Sequence, residues 1–176
     1  MTTTRATGGI SGDVLPFEMG QIIPTGLADS NYDLMLGEVF RLKGGGEALL
    51  VKANAAVATT ALASQRAFMW ADTDAFKVTV TTGVTDWTVG ISPDSQVPLA
   101  AGDYFFLLRG IGLVVNMVDS GAGVTKGDLI QGTAAGAGIT DAADARGLTI
   151  GEAQATVAAS GTIAVKITRN LPGADA

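Results

Sequence analysis

Two pairs of closely spaced carboxylates, Asp72 with Asp74 and Asp141 with Asp144, are the residues of this chain whose types and spacing could do chemistry. Such pairs serve as general acid and base, or bind calcium. Both pairs sit among small residues in turns, where Asp is favoured for capping backbone amides, and a calcium loop needs about five or more oxygens at regular spacing. Turn chemistry is therefore the preferred reading. Glycine-rich loops suggest phosphate binding, but after Gly110 and Gly112 the third glycine position holds Val115, and Gly121 and Gly123 are followed by Lys126. The dinucleotide fingerprint is incomplete in both, no P-loop motif occurs, and no helix is expected to offer its N-terminus.

The chain has no histidine and no cysteine, which removes the usual general base, the commonest metal ligand and all thiol chemistry. No catalytic constellation and no cofactor site is expected, so the chain is not read as an enzyme. With 11 Lys and Arg against 17 Asp and Glu, a net charge of −6 disfavours nucleic acid as a partner. The longest apolar run, residues 104–118, is interrupted by Arg109, two glycines and Asn116, too broken for a membrane helix. The first 20 residues lack an apolar signal region, so a soluble protein made in the cytoplasm is expected. Aromatic side chains could form a glycan platform, yet Phe68, Trp70, Phe76, Trp87, Tyr104, Phe105 and Phe106 fall in expected strands, where core packing is the default.

The elements that position these residues are short strands punctuated by turns. Glycine supplies 24 of 176 residues and proline only 5, a balance that favours strands and tight turns over helices or disorder. Val78 and Val80 alternate with Lys77, Thr79 and Thr81; Ile163, Val165 and Ile167 alternate with Thr162, Ala164, Lys166 and Thr168. This period of two predicts half-buried strands. Trp87, Val89 and Ile91 alternate in the same way. Residues 104–108 are apolar on both faces, which places them between two packed layers or with one face on a partner. Residues 113–118 are expected to pair back on that strand as a hairpin through the Gly110–Gly112 turn. Residues 53–67, rich in alanine, could form a short helix, but strand then loop is the preferred reading because Thr59, Thr60 and Ser64 dilute any apolar stripe.

One unit occurs twice. Residues 88–109, TVGISPDSQVPLAAGDYFFLLR, and 149–168, TIGEAQATVAASGTIAVKIT, each run from a strand glycine (Gly90, Gly151) through a loop to an AAG or AASG turn (Gly102, Gly161) and an apolar strand. The glycines lie 61 and 59 residues apart. One glycine of each pair lets another backbone come close, and the other supplies the positive φ of a tight turn. The Gly127-Asp128 turn mirrors Gly102-Asp103. Some nine or ten short strands predict an all-β fold, a small closed β-barrel or sandwich of antiparallel strands that hides its edges.

Residues 1–36 differ: no periodicity, two prolines, yet many apolar side chains. They read as a long extended N-terminal arm, before a barrel domain at 37–170 and a flexible tail at 171–176. Burying eight of its large side chains yields about 12–24 kcal/mol gross, against at least ~35 kcal/mol to order ~35 residues. The arm is thus expected to order on a partner, with Pro16, Phe17, Met19, Ile22, Ile23, Pro24, Leu27, Tyr32, Leu34 and Met35 as its contact residues. The alternative is an arm folded back on its own domain as an edge strand.

The succession FRLKGGGEALLVKANAAVA, TVGIS, PLAAGDYFFLLRGIGLVV, VTKGDLIQGTAAGAGIT and LTIGEAQATVAASGTIAVKIT resembles the tailed-bacteriophage head decoration, or capsid cement, proteins over residues 40–168. The resemblance rests on turn spacing and small residues, and leaves the arm outside it. It implies a structural virion protein on the outer surface of the mature capsid, usually a homotrimer and sometimes a dimer, bracing major capsid subunits. A receptor- or glycan-binding tail-associated adhesin domain is the alternative, and would need an exposed aromatic or polar groove.

Overall fold

The computed structural model describes residues 20–27, 31–42, 45–57, 65–93, 99–121, 123–140, 148–169 and 171. Carboxylates at 141 and 144 therefore lie outside the described residues, as do Pro16, Phe17 and Met19. The fold is all-β, with eleven strands among the described residues: β1 (Val39–Arg41), β2 (Glu47–Ala53), β3 (Ala67–Asp72), β4 (Lys77–Val80), β5 (Gly90–Ile91), β6 (Tyr104–Arg109), β7 (Val114–Val118), β8 (Leu129–Gly132), β9 (Gly138–Thr140), β10 (Thr149–Ala153) and β11 (Thr162–Ile167). One short helix, α1 (Asn31–Leu34), precedes them.

The strands close into two rings of the same design. In the first, β2, β6, β5, β3 and β4 are joined by antiparallel pairings, and β4 returns to β2 in parallel. In the second, β7, β11, β10, β8 and β9 follow the same order, and a parallel bridge from Asp119 to Gly138 completes the circle. Chain order matches too, so β2 to β6 correspond one by one to β7 to β11. Closure hides the strand edges that would otherwise pair with other chains.

Hydrogen bonds repeat with the topology. Asn54 N–H donates to Val78 O at 2.8 Å in the first ring, and Ser120 N–H to Gly138 O at 2.9 Å in the second. Ala53 N–H donates to Asp103 O at 2.9 Å, and Asp119 N–H to Gly161 O at 2.8 Å. Reciprocal bonds join Val57 to Leu99 in one ring and Val124 to Val157 in the other. The repeat of β5–β6 as β10–β11 is thus the last part of a whole-ring duplication. Gly90 and Gly151 have the expected role: a Cβ on Gly90 would meet Leu107 Cβ at 2.7 Å, and one on Gly151 would overlap the Lys166 carbonyl.

The buried side chains correspond as well. Leu49, Val51, Phe68, Val89, Phe105 and Leu107 fill the first cluster, and Val115, Met117, Ile130, Ile150, Ile163 and Val165 the second. The second cluster also takes in Ala67 and Ile91 of the first ring, so the rings share a packed seam. Polar pairs cross it: Thr81 Oγ1 donates to Thr133 O at 2.6 Å, and Gln65 N–H to Asn116 O at 3.1 Å.

Three expectations are corrected. Residues 113–118 do not form a hairpin with β6, because β2 and β5 already occupy both edges of β6; β7 instead starts the second ring, against β11. Trp87 is not in the core but is 51 % exposed, in the connection between β4 and β5. In the second copy of the repeat, the positive φ falls on Ser160 (62°) and not on Gly161, which is small for another reason: a Cβ there would overlap the Val157 side chain. Gly102 does adopt the expected left-handed conformation, at φ 89°.

Candidate interaction surface

The outer faces of the two rings differ where their interiors agree. On the first ring, Ala48, Leu50, Tyr104 and Phe106 form an apolar outer face across β2 and β6 with Phe40 of β1. The register equates the cross-strand pair Leu50–Phe106 with Asn116–Ala164 of the second ring, and Lys52–Tyr104 with Val118–Thr162. Asn116 and Thr162 face solvent. The apolar face is the one that the N-terminal segment covers, which explains why β6 is apolar on both sides: one side lines the ring and the other lies under Ile23, Tyr32, Met35 and Leu36.

Tyr104 is the centre of that contact. Ile23 pairs with it through two backbone hydrogen bonds, of 3.0 and 2.9 Å. The Tyr32 ring lies 5.9 Å from the Tyr104 ring, and the Tyr104 hydroxyl donates to Asp33 Oδ1 at 2.7 Å. Lys52 Nζ reaches the same oxygen at 2.6 Å and stands 4.5 Å from the centre of the Tyr104 ring. Hydrogen bonds from Lys52 and Tyr104, with the Lys52 charge, hold the Asp33 carboxyl below its ordinary value against slight desolvation. Burial opposes the Lys52 charge, but the bonds to Asp33 and Tyr104 outweigh it and raise its pKa; burial raises that of the Tyr104 phenol. At the end of the segment the Phe76 ring packs against Gly37, where no Cβ would fit. Phe76 holds a left-handed φ of 50° in the turn before β4, and its ring meets Trp70 at 6.3 Å.

Of the arm residues named from sequence, Ile23, Tyr32 and Met35 pack on this outer face, and Ile22 on the interior cluster of the first ring. Pro24 is exposed, and Leu34, on α1, is 82 % exposed; the side chain of Leu27 lies outside what the structure describes. Asp33 and Lys52 were not singled out from sequence, since a lone Asp and a lone Lys 19 positions apart give no local signal. Leu171, assigned to the tail, is buried in the second cluster. Asp72 acts as a turn residue, Oδ1 accepting from Ala75 N–H at 3.1 Å. Among the described residues no group of three or more His, Cys, Asp or Glu could hold a metal, and no helix is long and apolar enough to cross a membrane.

No family model and no curated protein matches the chain. Among solved structures it is similar to the head fiber gp8.5 N base of bacteriophage phi29, at a TM-score of 0.48 and 14 % identity over 71 % of this chain and 96 % of that one. A similarity at this level carries no argument about partner or activity, and the surface must be read from its own residues.

Among the described residues, the exposed large apolar side chains besides Leu34 are Val39, Val84, Trp87, Ile111 and Val114. Trp87 and Val84 stand on one connection, closed by Asp86: its Oδ2 accepts from Thr82 N–H at 2.6 Å, Thr82 Oγ1 at 2.9 Å and Gly83 N–H at 2.9 Å. Desolvation opposes ionisation of Asp86, but these bonds prevail and lower its pKa. The Arg169 guanidinium, just beyond β11, lies 6.0 Å from the centre of the Trp87 ring. Trp87 is thus an aromatic held in place from both rings, the exposed aromatic that sequence reasoning had assigned to the core.

Proposed function

We propose that this chain is a bacteriophage capsid decoration protein that binds the outer surface of the mature head, as a homotrimer or dimer, and stabilises contacts between major capsid subunits. It acts as a structural part of the virion and not as an enzyme. The observation that carries the reading is the resemblance over residues 40–168, whose quoted segments contain β2, β5, β6, β8, β9, β10 and β11 and the start of β7, with the AAGD and KGD stretches as turns between them. Two closed rings with few free edges suit a protein displayed in many copies, because weak contacts made by each copy add through effective concentration. Since Ile22, Ile23, Tyr32 and Met35 are engaged on the first ring, the arm residues with described side chains left to meet a capsid subunit are Pro24 and Leu34.

Cosedimentation of the full chain with mature and with unexpanded capsids tests the proposal. Saturable binding to the mature shell alone is expected; binding to neither removes the decoration role. A second reading, a glycan-binding tail-associated adhesin, draws on the exposure of Trp87, and a glycan array separates the two.

A further inference from the structure

We propose that Trp87, Val84 and Arg169 form a docking knob for a protein surface that presents a carboxylate beside an aliphatic side chain. Resting on the decoration reading above, the inference assigns that surface to the major capsid subunit.

Three observations carry it. Trp87 and Val84 are 51 % and 44 % exposed on a connection anchored at both ends: Thr81 and Thr88 are buried, and Asp86 ties Thr82 and Gly83 between them. An aromatic held this way loses little freedom when a partner covers it, and Trp and Arg are the side chains in which interface energy concentrates. Second, the guanidinium beside the indole has no carboxylate within ion-pair distance among the described residues, whereas Lys52 has Asp33 and Arg109 has Glu47. A guanidinium beside an aromatic ring keeps its donors for a carboxylate from outside. Third, the knob belongs to one ring only. The equivalent connection in the second ring, residues 141–147, reads DAADARG and has no aromatic, so duplication of the ring alone does not account for Trp87.

A protein face is favoured over a sugar by how the polar groups of this connection are used. Asp86 Oδ2 already accepts three hydrogen bonds, one of them from the Thr82 hydroxyl, and of the other exposed neighbours Val84 is apolar and Thr85 offers a single hydroxyl. Sugar hydroxyls need convergent polar partners, which this loop spends on its own closure.

The test measures occupancy of emptied mature capsids by the full chain and by Trp87→Ala, Val84→Glu, Arg169→Glu and Arg169→Lys. Near-ultraviolet circular dichroism and the urea midpoint check that each variant is folded. Trp87→Ala, Val84→Glu and Arg169→Glu are each expected to raise the half-occupancy concentration about tenfold or more. Arg169→Lys should retain part of the binding, and wild-type binding should weaken as salt is raised to about 0.3 M more than that of Arg169→Glu. If the wild type occupies capsids and the variants do so equally, the knob assignment alone fails. If the wild type does not bind capsids, the decoration reading fails and the assignment of the partner with it. Self-association, or binding to an acidic glycan, that is lost in Trp87→Ala while capsid occupancy is unchanged also overturns the proposal.

Discussion

Tyr104 and Asp33, 71 positions apart, meet in a 2.7 Å hydrogen bond that ties the N-terminal segment to the central strand of the first ring. Lys52 adds an ion pair to the same carboxylate oxygen. The bond joins α1 to β6 and marks where the two rings part company, since the second ring has Thr162 and Val118 in place of Tyr104 and Lys52.

Removing this latch should free the segment without unfolding the rings. Tyr104→Phe keeps the ring packing and loses the hydroxyl; because the Asp33 side chain is 56 % exposed, the cost is about 0.5–1 kcal/mol. Hydrogen exchange at the Ile23 amide, which donates to Tyr104 O, should accelerate while amides of β10 and β11 keep their protection. Unchanged exchange at Ile23 would show that apolar packing alone holds the segment.

The same latch should respond to pH at two ends. Asp33 titrates below its ordinary 3.8 in the folded chain, so its contribution is complete above that value and is lost as pH falls through the lowered one. Lys52 titrates above its ordinary 10.5, so its contribution is complete below that value and is lost as pH rises through the raised one. Protection of Ile23 should therefore be level across neutral pH and decline at both extremes, and Asp33→Asn should abolish the acid limb.

Asp86→Ala should loosen the connection that carries Trp87. Loss of three hydrogen bonds to a charged acceptor, partly replaced by water, costs about 1–2 kcal/mol. Trp87 fluorescence, read in a Trp70→Phe background, should become more accessible to acrylamide. The lowered pKa of Asp86 gives its support above the ordinary 3.8, and quenching should rise as pH falls through the folded value.

Matched substitutions in the two rings test the duplication. Phe105→Ala and Ile163→Ala remove corresponding buried side chains and should cost about 3–5 and about 2–5 kcal/mol, in one shared urea transition because the second cluster draws in Ala67 and Ile91. Two separate transitions would mean that the seam does not couple the rings.

Gly151→Ala should be among the most damaging small changes, about 1–3 kcal/mol, since its Cβ would meet the backbone of Lys166 on the paired strand. Gly83→Ala makes the contrast. Nothing lies within 4 Å of the added atom, and a small gain of about 0.4–1 kcal/mol is expected from the stiffer unfolded chain. Urea midpoints of the two variants settle the comparison.

Local chemistry decided much of this structure. Period-two runs such as residues 162–168, the glycines that mark β5 and β10, and the Asp-bearing turns at Asp103 and Asp128 predict strands, close approaches and caps, because each depends on neighbours only a few positions away. Asp103 and Asp128 indeed accept from Ala100 and Thr125 N–H, at 2.7 and 2.8 Å. The absence of histidine and cysteine was equally plain from sequence and limited the available chemistry before any strand was placed.

Only tertiary structure decided which strand edges met and which side chains were left outside. A tight turn at Gly110–Gly112 suggests a hairpin, but both edges of β6 were taken by strands distant in sequence, so the chain crossed into a second ring. Trp87 continues an alternating pattern, yet the pattern cannot tell that β5 begins only at Gly90 and that the indole meets Arg169 from the other ring. The latch of Asp33, Lys52 and Tyr104 has no sequence signature for the same reason. It depends on closure of a ring, and the partners of a closed ring are fixed by the packing of all its strands together.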